Sequence, residues 1–508
     1  MTRARRAPAK GVFNTRERIR LGVWGLGRGE AFYKACASLH LDVVAGCDFN
    51  AHMRGRFRAA CPRAFVTDNA EEFLAQDFDA VLLATFCPAH ADDAIACLNA
   101  GKHVLSEVTA FHTLAEGVRL VEAVEQSGRI YNLAENYPFT AAQMFVAQQW
   151  REGRFGELQY AEGEYVHDVR WLAYQYIDRA PIQPGHTIHA WRSWLHYHYY
   201  CTHSLGPIMH VTGTRPVRVV ALPGAVEQSA YPRVEGGGLA VVAPSLITMD
   251  NGGVVRNLMG GTANDTHQFR YWGTRGGAEV GWDDVKLRLG GSGNVPKLAV
   301  RAEYAEHGDR ARRMGHGGGD FWVLYYFARQ ILFGETAPFD IYAAADVTIP
   351  GILTYKSAVN NGQPYDVPDF REKRVRDKYR RDTFACPRID HVNAMFPKNA
   401  DKKIVGEFTS IMAELLHRAP QCRAVADWAT LSHVVKDRRP LRAFVGDVLE
   451  ALPVIRAAFK RAAGIADAYP KSQGARVIRE LLELADSRTV ASRNYGTKLQ
   501  ELKRKLAR

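Results

Sequence analysis

No Cys-x-x-Cys pair occurs among the eight cysteines (Cys36, Cys47, Cys61, Cys87, Cys97, Cys201, Cys386 and Cys422). That argues against a zinc knuckle and a disulfide framework and fits a reducing compartment. No apolar run reaches the ~18 residues that span a bilayer. The basic start "MTRARRAPAKGVF" passes into polar "NTRERIR" where a secretory leader would need an apolar core. The expectation is a cytoplasmic protein without a membrane partner. A helical His-Glu-x-x-His is also missing, so the seven histidines between 167 and 210 carry no metal signature and no metal is expected. Nor does the chain show an internal repeat.

What is present begins with charge. Lys and Arg number 66 against 54 Asp and Glu, a formal +12, and the excess is dense in "TRARR", in "REKRVRDKYRR" (371–381) and in "LKRKLAR". No recognition motif accompanies these runs, so they read as solvated basic tails and a nucleic acid is not expected. Acidic ligands and phosphorylated sugars stay open.

The 508 residues allow two or three domains of ordinary size. After a basic tail at 1–16, strand-like runs at 19–24, 41–47, 79–85, 102–107 and 129–134 alternate with helical stretches at 88–100 and 114–126. This rhythm predicts an α/β fold with a doubly wound parallel sheet over 17–135. From 136 to 370 longer alternating segments (157–168, 216–224, 239–249, 253–261) predict a second, α+β domain with a large, mainly antiparallel sheet and helices at 138–152 and 319–333. Helical periodicity returns at 402–419, 439–464 and 475–487, so 371–508 is expected to be a helical extension broken at Pro440, Pro453 and Pro470.

The first strand leads into "GLGRGEAF". Gly25 suits a tight turn, Gly27 lets a backbone approach a pyrophosphate, and Arg28 and Gly29 follow, while Glu30 stands at the third glycine of the dinucleotide fingerprint. Asp48, at the end of the second strand, is placed to accept both ribose hydroxyls. It favours NAD over NADP, although Arg28 and Asn50 lie close enough to accommodate a phosphate.

Ala84-Thr85, Pro88 and His90, followed by "AGKHVLSE" ending at Glu107, resemble the Gfo/Idh/MocA oxidoreductases over about 17–370. Where most of that family continues Glu-Lys-Pro, this chain has Glu107-Val108-Thr109. "AENYPF", "EGEYVHDVR", "AWRSW", "YYCTHSLGP", "GHGGGDF" and "YDVPDF" are similar to the branch holding the NAD-dependent glycoside hydrolases of family 109, the α-N-acetylgalactosaminidases, which also carries Val after the Glu. The resemblance implies that Gly25, Gly27, Arg28, Gly29, Asp48, Thr85, Pro88, His90, Glu107, Val108 and Asn136 line NAD. It implies that Glu135, Tyr165, His167, Arg192, Tyr200, Thr202 and His203 surround a sugar. A further sugar-contacting tyrosine of that branch has no equivalent ahead of "GTRGG" (273–277), where Asp265 and His267 stand.

The chemistry that the resemblance implies has its own physical logic, and the roles of the residues are assigned by chemistry and resemblance together. Oxidation of a sugar hydroxyl makes a ketone that acidifies the neighbouring C–H, and loss of that proton expels the anomeric substituent. Water then adds, and the stored hydride returns. His203 is expected to take the alcohol proton, Tyr165 or Tyr200 to act at carbon, and Arg192 to steady enolate charge. Two alternatives stay open: a plain sugar dehydrogenase, and a non-catalytic NAD- or sugar-binding sensor whose helical tail recruits a partner. The exposed face of the second domain's sheet is a common assembly surface in the family that this chain resembles, so the resemblance implies a homo-oligomer.

Overall fold

The computed structural model describes residues 11–168, 170, 191, 195–231, 241–261, 266–282, 284–387 and 395–507. Two compact units are present, one drawn from Met1–His167, His196–Ala225 and Val241–Cys386, the other from Asp168–Leu195, Val226–Ala240 and Pro387–Arg508.

The first unit holds two sheets. Six parallel strands, β1 (Ile19–Trp24), β2 (Leu41–Cys47), β3 (Phe65–Thr67), β4 (Ala80–Leu83), β5 (His103–Ser106) and β6 (Tyr131–Leu133), are ordered β3-β2-β1-β4-β5-β6, the doubly wound arrangement the rhythm predicts. Leu21, Val23, Val81, Leu82 and Val104 are inaccessible to solvent, as strands covered on both faces require. The helix Leu114–Ser127 begins in a reciprocal cap between Thr113 and Glu116 and ends at left-handed Gly128.

The second sheet has nine strands among the described residues: β7 (Leu158–Val166), β8 (Pro216–Ala221), β9 (Val242–Met249), β10 (Val254–Gly260), β11 (Phe269–Gly273), β12 (Gly276–Val280), β13 (Val285–Leu289), β14 (Leu298–Val300) and β15 (Tyr365–Asp366). Their order is β14-β13-β12-β11-β7-β10-β9-β8-β15, antiparallel except where β7 meets β10. On β7 Ala161, Gly163 and Tyr165 are buried, while Glu162 and Glu164 on the opposite face pair with Arg256 and Arg270. A Cβ at Gly163 would stand 2.2 Å from the Ser204 carbonyl oxygen, so the bare backbone there lets the helix Thr202–Thr212 settle on the sheet. The helix foreseen from 138 starts later, at Ala141. Tyr137–Phe139 forms a 3-10 turn, and the Thr140 hydroxyl caps the helix by accepting from the Gln143 N–H.

In the second unit, helices at Lys402–Leu431, Arg438–Ala468 and Gln473–Leu484 share a core of Phe408, Met412, Val445, Val448, Ile455, Ile478 and Leu481. Asp401, Asp437 and Ser472 cap their starts. One expected break is corrected here. Pro453 lies inside Arg438–Ala468, flanked by buried Val448, Leu452, Ile455 and Phe459. Breaking the helix there would turn half of that stripe out of the core. Burial at roughly 1.5–3 kcal/mol per large side chain outweighs the ~3 kcal/mol that an internal proline costs. Pro440 falls in the first turn, where its missing N–H has no intrahelical partner, and Pro470 lies just beyond the C-terminus. No described helix is long and apolar enough to cross a membrane.

Candidate active site

The glycine loop follows β1. Gly25 has φ +94°, and a Cβ there would stand 2.0 Å from the Ala84 carbonyl oxygen, so only glycine fits the turn. Gly27 has nothing within 4 Å of where its Cβ would be, which leaves an open approach to the backbone N–H groups that begin the helix. Gly29, with Val23 Cγ1 only 2.5 Å from its virtual Cβ, provides the close helix-to-strand packing that the fingerprint assigns to its third glycine. Glu30 is occupied elsewhere, 2.6 Å from Arg56. The Asp48 carboxylate accepts from the Leu26 and Asn50 N–H groups, both at 2.8 Å, and burial raises its pKa above the usual value. An open cradle at Gly27 and a carboxylate fastened to the loop fit a dinucleotide.

The loops after β4 and β5 complete this wall. Pro88 is buried in the 3-10 turn Cys87–Ala89, and the Thr85 hydroxyl donates to Asp93 at 2.6 Å. Buried His90 places Nδ1 2.9 Å from the Thr109 carbonyl oxygen and Nε2 3.3 Å from that of Thr85. Burial lowers its pKa, and the neutral ring donates one hydrogen bond, so it holds the Thr109 loop. Val108 is buried, and its N–H lies 3.3 Å from Glu107 Oε2.

Arg28 does more than the sequence suggested. Its Nε donates to Glu107 at 2.8 Å, and its two terminal nitrogens donate to Asp320 at 3.1 and 2.8 Å. Asp320 is inaccessible and also accepts from Asn136 Nδ2 at 2.9 Å, while His316 Nδ1 lies 3.0 Å away. Burial alone would raise this carboxyl, but the His316 hydrogen bond and the Arg28 guanidinium outweigh it and hold it far below the usual carboxylate range. Asp320 ends the "GHGGGD" run, in which the motif alone gives that residue no role. Only the fold brings it to the glycine loop.

Beside Asn136 in the chain, fully buried Glu135 brings both carboxylate oxygens, at 2.8 and 3.0 Å, to His203 Nδ1. Both contacts are made at Nδ1, so Nε2 is the nitrogen left to exchange a proton. His203 stands in the first turn of the helix Thr202–Thr212, and its ring centroid is 4.9 Å from Tyr165, 4.8 Å from Tyr200 and 4.4 Å from Tyr137. Tyr137 was not singled out from the sequence, yet it also borders His267 at 5.6 Å and Trp282 at 5.6 Å. Its signal was its place directly after Glu135-Asn136. His167 joins the rim, 5.8 Å from Tyr165 and 5.5 Å from His267. Thr202 is inaccessible, and its hydroxyl has no partner among the described residues. Arg192 and Asp265 lie outside the described residues.

The histidine-rich run behaves differently. His196 and His198 stack at 4.9 Å on a 3-10 turn, and burial lowers both pKa values, that of His196 to about 4. Neutral, stacked rings here serve packing.

Comparison with known proteins bears on the fold and on what the chain is similar to. Residues 19–135 match the model of the oxidoreductase family with an NAD-binding Rossmann fold, and 302–377 match the C-terminal domain of glycosyl hydrolase 109. A glycosyl hydrolase family 109 protein of Saccharopolyspora erythraea is 28% identical over 72% of this chain and 88% of its own. An α-N-acetylgalactosaminidase of Tannerella forsythia is 27% identical over 58% and 71%. Among solved structures, levoglucosan dehydrogenase with NADH and levoglucosan aligns with a TM-score of 0.59 at 20% identity, over 69% of this chain and all of the other. An inositol dehydrogenase homologue of Azotobacter vinelandii gives 0.56 at 18% identity, over 70% and all. The glycine loop and the two sheets accompany these matches: residues 19–135 carry the NAD-binding Rossmann fold of the oxidoreductase family, and the chain as a whole is similar to glycosyl hydrolase family 109 proteins.

Proposed function

We propose that this protein is an NAD-dependent enzyme acting on a glycoside, cleaving it by transient oxidation of a sugar hydroxyl followed by elimination. One observation carries the reading. Glu135, Asn136 and Tyr137 are consecutive; Glu135 sets the His203 imidazole, Asn136 binds the Asp320–Arg28 cluster of the cofactor loop, and Tyr137 walls the ring-lined site. One tripeptide therefore joins the proton-transfer group to the cofactor cradle.

Bound at Gly25, Gly27 and Asp48, NAD would take up and return the electrons of the hydroxyl. His203 Nε2 receives the hydroxyl proton while Glu135 holds the opposite nitrogen as a donor. The tyrosyl oxygens of Tyr165 and Tyr200 serve the carbon next to the new ketone, and the buried aromatic walls keep bulk water from the intermediate. Glu107 occupies Arg28 from the other side, so one guanidinium ties the glycine loop both to the end of β5 and to Asp320.

The test is incubation with NAD and a panel of aryl and natural glycosides in D₂O. Deuterium at sugar C2 with cleavage and no accumulation of NADH is the expected result. Stoichiometric NADH without cleavage would make the protein a sugar dehydrogenase, and binding without solvent exchange would make it a sensor.

A further inference from the structure

Two histidines of the first unit rest on fully inaccessible carboxylates: His203 on Glu135 and His316 on Asp320. Both border the same ring, Tyr137, at 4.4 and 6.0 Å. They differ in exposure: the His203 side chain is 5% exposed and that of His316 35%. Asp320 needs no histidine to be satisfied, since Arg28 neutralises it and Asn136 donates to it. His316 is also held at φ +54°, followed by Gly317 at +61° and Gly318 at +104°. A side chain in the left-handed region costs about 1 kcal/mol or more, and such costs persist where the placed group has a task.

We propose that His316 is a second proton-transfer residue of the site, acting on the leaving-group oxygen of the glycoside. The inference rests on the glycoside reading above and deepens it. Elimination moves two protons in different places: one leaves the carbon beside the ketone, and one must reach the departing oxygen. As the bond from the anomeric carbon to that oxygen breaks, His316 Nε2 gives its proton to the oxygen and the aglycone leaves as an alcohol. The neutral ring then takes a proton from the water that adds to the same carbon, and bound NAD finishes as it began. The more exposed position of His316 suits the aglycone end, which must open to water, while the buried His203 suits the enclosed hydroxyl. Asp320 orients the ring through Nδ1 and is a positioning residue.

The experiment compares the whole enzyme with its His316→Gln and His316→Asn variants on two glycosides of one sugar, the 4-nitrophenyl and the methyl, with NADH binding followed by fluorescence. Nitrophenolate departs without a proton and methoxide does not, so kcat/KM for the methyl glycoside should fall by about 10²–10⁴ and that for the nitrophenyl glycoside should barely change. NADH affinity and deuterium exchange at C2 should persist. Equal losses on both glycosides, or lost NADH binding, would overturn the role of His316 and leave the glycoside reading standing. A wild-type enzyme that cleaves neither glycoside across the sugar panel would remove both.

Discussion

Replacing Glu135 by Gln tests whether the dyad works as a base or merely packs. The two carboxylate oxygens lie 2.8 and 3.0 Å from His203 Nδ1, and Oε1 also accepts the Tyr137 N–H at 3.2 Å. Gln keeps the shape but brings an NH₂ group toward Nδ1. That favours the tautomer with its proton on Nε2, which cannot accept a proton from substrate. General base catalysis contributes about 10²–10⁴, so kcat should fall on that order, equivalent to roughly 3–5 kcal/mol of barrier. The weakened buried charged hydrogen bond should also lower stability by about 1.5–3 kcal/mol. Two readings separate the effects: the rate of deuterium incorporation at C2 under saturating substrate, and the melting temperature with NAD present. A variant that loses stability but retains most of its exchange rate would refute His203 as the base.

The glycine loop gives a paired prediction: Gly27→Ala should melt like the wild type but bind NADH at least tenfold more weakly by fluorescence titration, whereas Gly25→Ala should fail to fold, because its Cβ meets the Ala84 carbonyl. Normal NADH affinity in Gly27→Ala would dismiss the cradle. Asp320→Asn removes the Asp320 charge from the Arg28 guanidinium and should weaken NADH binding more than it slows exchange at saturating cofactor. Unchanged affinity would sever the link between Asp320 and the loop. A third concerns pH: burial lowers His196 to about 4 in the folded chain and holds His198 well below its usual value, while the unfolded chain takes up protons near 6.5. The unfolded state therefore binds more protons between those limits, so stability is whole above about pH 6.5 and declines as pH falls toward 4. Scanning calorimetry at pH 7.5 and 5 should show that drop, and a smaller one in His198→Leu; an identical drop would contradict it.

Much of the architecture was legible. The runs at 19–24 and 41–47 became β1 and β2 residue for residue, because parallel strands covered on both faces must be continuously apolar. β3 was missed: three residues with exposed Phe65 carry no period. Pro453 misled because local propensity was set against a helical stripe whose burial it could not see. For the site, the family resemblance named Glu135, Tyr165, Tyr200 and His203, which the fold brings close to one another, but it did not single out Tyr137 and left Asp320 unassigned. Their partners lie far off in the chain, Arg28 from Asp320 by 292 positions.

The glycine turn, the alternation of strands with helices and the residue types able to move a proton were already set in the linear chain, since each follows from local sterics, periodicity or intrinsic chemistry. Among the described residues, it took the packing of the folded chain to seat His203 and His316 on buried carboxylates. Burying Glu135 and Asp320 is tolerable only when hydrogen bonds arrive from elements distant in the chain, and packing alone selects those elements.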